Sequence, residues 1–146
     1  MDNNMTQHPL LLPLFVQLLL VLLVWLNLYR TRIGYMKKHR IHPQKVASRS
    51  QATEMLKEVS SGADNFANQF ELPVIFYVAC LLSMQFNVEG MLITITAWLF
   101  VAGRYVHSLI HLTNNKVMHR FLIYVASGWM LWIMVALIGF ELFTGK

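Results

Sequence analysis

Residues 10–28 read LLLPLFVQLLLVLLVWLNL, a stretch of leucine and valine with no ionisable side chain. At ~1.5 Å of rise per residue such a run is ~28 Å long as a helix, enough to cross ~30 Å of hydrocarbon. The uncharged tract is longer still, from Asn3 to Tyr29. Basic residues follow it, starting at Arg30, whereas a cleaved leader carries its charge in front and ends in a small-residue cleavage site. The segment therefore reads as a membrane anchor.

Working outward, three further apolar segments follow, which gives expected spans at about residues 9–29, 66–86, 91–112 and 120–141. The expected fold is all-α: an integral membrane four-helix bundle forming a single transmembrane domain over 1–146. Composition agrees. Hydrophobic residues make up 56% and charged residues 13%, and soluble domains need nearly twice that charge to cover their surface. The net charge of +5 is no nucleic-acid signature, because eight of the twelve Lys/Arg fall between Arg30 and Lys57, directly after the first span. A patch there meets lipid headgroups, so membrane lipids are the expected partners and nucleic acid is not. One cysteine, Cys80, leaves no intrachain disulfide framework.

The basic residues also orient the chain. The first loop is rich in them and the third-to-fourth turn carries Lys116 and Arg120, while the 87–90 turn and the N-terminal tail have none. Positive-inside reasoning places both termini on the non-cytosolic side, in a multi-pass topology of the bacterial inner-membrane type. Within the long loop, residues 50–61 read as a short surface helix with Glu54 and Glu58 one turn apart.

Ionisable groups inside a span are costly, and each is a functional candidate by default. They are Glu71, Arg104, His107 and His111, with Arg30 and Arg120 at helix ends and Asn65, Asn68 and Tyr124 as polar companions. On this topology all lie toward the cytosolic end of their helices. Arg104, His107 and His111 recur at i, i+3 and i+7, a single helix face. Glu71 is available to pair with the arginines. Each group also has a plainer reading. Arg30 and Arg120 taken singly are snorkelling anchors, Tyr124 and the tryptophans an interface belt, and Asn65 and Asn68 interhelical hydrogen bonders. Metal is not expected, since the His107/His111 pair has no third ligand and His8 lies at the opposite face. Nor is bis-histidine haem, which needs opposed helices.

The run Asn65-Phe66-Ala67-Asn68-Gln69-Phe70-Glu71-Leu72-Pro73 resembles the second-helix signature of the MAPEG family, the membrane-associated proteins in eicosanoid and glutathione metabolism. Arg104-Tyr105-Val106-His107 is similar to the third-helix Arg-x-x-His of its prostaglandin E synthase branch. Arg120 and Tyr124 fall where that branch has a catalytic-region Arg and a Tyr. The resemblance covers all four spans and is to a bacterial-type member. It implies a homotrimer with glutathione as co-substrate, held near the cytosolic face. Asn68 and Glu71 would hold its polar part, Glu71 meeting the ammonium. Arg104 and His107 would lie beside its carboxylates, and the catalytic Arg120 would face the sulfur. Arg30, His111 and Tyr124 complete the implied set.

The chemistry of the ligand fits these residue types: arginines bind carboxylates in forked fashion, and an adjacent guanidinium favours thiolate over thiol. Asp64 stands where several eukaryotic members carry arginine, His111 where prostaglandin and leukotriene enzymes have tyrosine, and Phe121 where prostaglandin E synthase has serine; together these point away from eicosanoid synthesis. The expected function is a glutathione-dependent transferase or peroxidase acting on lipophilic small molecules, electrophiles or lipid hydroperoxides. The alternative is a non-catalytic lipid-binding or scaffolding protein of the same fold. A small multidrug transporter ranks lower, because the first span lacks a carboxylate.

Overall fold

In the computed structural model, residues 8–145 are described, so the expected domain of 1–146 runs past them at both ends and most of the N-terminal tail lies outside them. The uncharged N-terminal segment forms α1, Leu11–Lys38, which continues beyond Tyr29 through Arg30 and Arg32. Pro13 sits in its first turn, where the absent N–H leaves no helical bond unmade. The loop contains α2, Arg49–Met55, opened by a reciprocal capping box between Ser48 and Gln51. A 3-10 turn at Lys57–Val59 then leads into α3, Ser60–Asn68. The short surface helix expected at residues 50–61 is thus two elements, and its last residues already belong to α3.

The second span is broken. α3 stops at Asn68 and α4, Leu72–Gln85, begins after residues 69–71. Pro73 causes this: it lacks the N–H that would bond the Gln69 carbonyl, and it enters α4 in the first turn, where that loss is harmless. The third and fourth spans are single helices, α5 (Met91–Leu112) and α6 (Val117–Thr144). Among the described residues there are four helical stretches long and apolar enough to cross a membrane: Leu11–Lys38, Lys57–Gln85, Met91–Leu112 and Val117–Thr144. It is an all-helical, multi-pass integral membrane protein.

The burial pattern is that of a bundle whose solvent is lipid. Leu12, Phe15, Leu22 and Leu26 face outward from α1 while Gln17 is fully buried. Arg104, His107 and Gln69 are likewise inside. Large apolar side chains meet acyl chains, and polar groups find partners between helices. Deeper in the bundle than the polar layer, Phe76 of α4 stacks on Phe100 of α5 at 4.8 Å, packed with Leu131 and Met134 of α6. At the opposite end, His8 approaches Glu89 to 3.9 Å and sets the start of α1 beside the α4–α5 turn.

α5 and α6 approach each other closely at Gly103. A Cβ there would stand 2.7 Å from the Ser127 Cβ, a contact no flexible side-chain end can relieve. Gly103→Ala is expected to lower stability by about 1–3 kcal/mol through forced separation of the two helices, read as a lower unfolding midpoint in detergent. An unchanged midpoint would show that α6 can shift without cost.

Candidate functional site

The helix break builds the site. Where α3 ends, the Asn68 carbonyl has no helical donor, and Arg104 from α5 supplies one: its Nη2 donates to Asn68 O at 2.9 Å. The same guanidinium lies over the Tyr124 ring, 5.2 Å from its centroid. Arg104 is completely buried, with Nε and Nη1 unpartnered. It fastens the break to α5 and α6 at once.

Above it lies a cavity of about 230 Å³ lined by Asn68, Glu71, His107, Val117, Arg120, Phe121 and Tyr124. The Tyr124 hydroxyl donates to Glu71 Oε2 at 2.9 Å. His107 Nδ1 is 3.1 Å from the Arg120 carbonyl, which can only accept, so Nδ1 carries the proton. In the neutral ring Nε2 is then the acceptor, matched by the Asn68 amide Nδ2 at 3.4 Å. Arg120 is half-buried at the start of α6, its Nη1 donating to Asn115 Oδ1 at 2.8 Å. That tether comes from the α5–α6 turn, where Asn115 takes a left-handed backbone that asparagine tolerates. One wall of the cavity thus offers a carboxylate, and another a guanidinium, with amide, phenol and imidazole between them.

A family model described as the MAPEG family matches residues 10–140, which includes every residue of this cavity. The chain belongs to the MAPEG family. No curated protein and no solved structure matches it.

In this MAPEG chain, five residues picked out from the sequence come together as cavity wall: Asn68, Glu71, His107, Arg120 and Tyr124. Three do not. Arg104 lies beneath the wall rather than in it. His111 is buried one turn beyond His107, edge-on to it at 5.7 Å between ring centroids, with both ring nitrogens unpartnered. Arg30 is exposed on α1, away from the cavity. Glu71, available by charge to pair with an arginine, accepts from Tyr124 instead. Among the described residues neither Arg104 nor Arg120 forms an ion pair with Glu71, because Arg104 is drawn to the Asn68 carbonyl and Tyr124 takes the carboxylate.

Behind the wall sits a buried network of uncharged polar side chains. Gln17 Nε2 of α1 donates to Gln69 Oε1 at 3.2 Å. Gln69 Nε2 lies 3.3 Å from both Asn65 Oδ1 and Ser108 Oγ, and Ser108 Oγ donates to Asn65 Oδ1 at 3.1 Å. Asn65 fulfils its plainer reading as an interhelical bonder. The other three could have been suspected only as uncharged polar residues inside apolar runs. Their bonds hold the middle of the helix break against α1 and α5.

On the other side of Tyr124 is an apolar groove of about 300 Å³, lined by Leu72, Val125, Gly128, Trp129 and Trp132 together with Tyr124 itself. Trp129 and Trp132 are exposed along α6. A polar cavity and an apolar groove open to the membrane therefore share one side chain.

Proposed function

We infer that this protein is a glutathione-dependent transferase or peroxidase acting on lipophilic substrates dissolved in the bilayer. The observation that carries the reading is the adjoining pair of spaces divided by Tyr124, one charged and one apolar. Glutathione offers an ammonium and carboxylates for the first, and membrane-borne molecules reach the second from the side. Family membership supports glutathione as the co-substrate. Arg120 and Tyr124 line the cavity rather than facing only headgroups, which favours catalysis over a scaffolding role.

In this reading Glu71 receives the ammonium, Asn68 and His107 orient the peptide, and Arg120 stabilises the thiolate by its positive charge. The thiolate attacks an electrophilic carbon to form a C–S bond, while a leaving group departs with its electron pair or an activated double bond takes up the pair and then a proton. With a hydroperoxide it attacks oxygen instead, giving an alcohol and a sulfenic acid that a second glutathione converts to disulfide and water. Arg104 acts through the break: it holds Asn68 and Tyr124 in place from below. About 230 Å³ is small beside the ~300–1,000 Å³ of typical ligand pockets, so one chain accommodates only part of the tripeptide. Assembly into a homotrimer would supply the remaining wall, and Arg30, exposed on α1, is available to a neighbouring copy. The polar end faces the cytosol, as the basic first loop argues.

Glu71→Gln tests the assignment of the ammonium. Glutamine still accepts from Tyr124 but lacks the charge, so glutathione affinity measured by calorimetry is expected to fall about 30-fold or more. Affinity for deaminated glutathione should hardly change. Equal losses for both ligands would place the ammonium elsewhere.

A further inference from the structure

The C-terminus of α1 ends in an unusual way. The Ile41 N–H donates to the Met36 carbonyl at 2.9 Å and the Arg40 N–H to that of Lys37 at 3.3 Å, the paired bonds of a Schellman motif. That motif needs a left-handed residue, and Arg40 takes it with φ 53°. Glycine is the usual occupant because a side chain there is strained. Among the described residues the other non-glycine positive φ values belong to Asn87 and Asn115, a residue type that accepts the conformation. An arginine held there at a cost points to a use for its side chain.

The reversal brings Ile41 and Pro43 back beside α1 and forms an open cavity of about 410 Å³, lined by Ile33, Met36, Lys37, Arg40, Ile41, His42 and Pro43. Its floor is apolar, its cations are Lys37 and Arg40, and no lining residue is acidic. Its depth follows from α1. Trp25 and Tyr29 are exposed and edge-to-face at 4.9 Å, an aromatic pair of the kind that marks the membrane interface. Ile33 lies one turn past Tyr29 and Lys37 two turns, about 6 and 12 Å along the helix, at headgroup level.

We propose that this cavity is a binding site for one anionic phospholipid, its phosphate between Lys37 and Arg40 and its glycerol and first methylenes against Ile33, Met36 and Ile41. A soluble phosphate would gain nothing from the apolar floor, and a zwitterionic lipid would bring its own cation to the two already present. The site is separate from the cavity around Glu71 and Arg120, with no residue in common.

The full-length protein, extracted from vesicles of equal phosphatidylglycerol and phosphatidylcholine, is examined by native mass spectrometry and then titrated with each lipid. Wild type should retain one phosphatidylglycerol in preference to phosphatidylcholine, undisplaced by glycerol 3-phosphate. At about fivefold per basic residue, Lys37→Gln with Arg40→Gln should lose roughly 25-fold in affinity. Lys45→Gln with Lys57→Gln removes the same charge outside the cavity and should lose little. Arg40→Gly relieves the backbone strain, so it should raise the unfolding midpoint while still weakening phosphatidylglycerol binding. The proposal is overturned by equal losses in the two double variants, by displacement with glycerol 3-phosphate, or by full lipid retention in Arg40→Gly.

Discussion

Arg120→Ala is expected to lower kcat/KM for glutathione conjugation of a lipophilic electrophile by about 100- to 1,000-fold, the cost of removing one preorganised charge from a developing anion. The loss should fall mainly on the chemical step. Arg120 is half-buried and, among the described residues, bonded through its side chain only to Asn115, so its removal leaves the helix break and the buried network intact. Glutathione binding should therefore persist while the thiolate does not form. Arg120→Lys, which keeps a cation but loses the fixed fork held by Asn115, should recover part of the rate. If Arg120→Ala conjugates as fast as wild type, Arg120 is an interface anchor and the thiol is activated elsewhere.

The second large effect is expected at Arg104, which the cavity does not touch. Two energies oppose each other when it becomes methionine. The bond to Asn68 O is charge-assisted and worth about 1.5–3 kcal/mol, and a buried cation over an aromatic ring adds up to ~2 kcal/mol. Against this, a buried guanidinium with two unpartnered nitrogens is itself expensive, and replacing buried charge by an apolar side chain of similar volume is often neutral or stabilising. The terms nearly cancel, so Arg104→Met should fold with a midpoint close to wild type. Function should not survive as well. Without its clamp the break at residues 69–71 gains freedom, Asn68 and Glu71 lose their positions, and glutathione affinity should drop about 100-fold, a loss common when a site shifts by an ångström. Amide hydrogen exchange at residues 69–72 should accelerate in this variant and not in Arg120→Ala. Unchanged exchange with lost binding would mean that Arg104 contacts the ligand directly.

The four spans were legible because hydropathy depends only on composition along the chain, and residues 10–28 leave no other reading. The depth of the polar residues was legible for the same reason: spacing from a span's end fixes how far a residue sits from the interface. Rotation about the helix axis and breaks in the axis were much less so. Pro73 was visible inside the second span, but a proline in a membrane helix can kink it or interrupt it. The outcome here depends on Arg104 reaching Asn68 O from another helix. Arg120 and Arg30 read alike as helix-end cations. One lines the cavity and the other faces outward, a difference set by packing between helices. Glu71 was available to pair with an arginine on grounds of charge. It lies beside Tyr124 because the break turns Arg104 toward a backbone carbonyl. Gln17 and Gln69 are 52 positions apart, and nothing local to either announces the other.

The central claim is that this cavity binds glutathione and holds it as thiolate beside Arg120. The most direct measurement is ultraviolet difference absorbance of the purified protein in detergent as glutathione is added near neutral pH. A saturable thiolate band is expected in wild type, absent in Arg120→Ala even when calorimetry shows glutathione bound. No binding to wild type at millimolar glutathione, or a thiolate band that survives in Arg120→Ala, would contradict it.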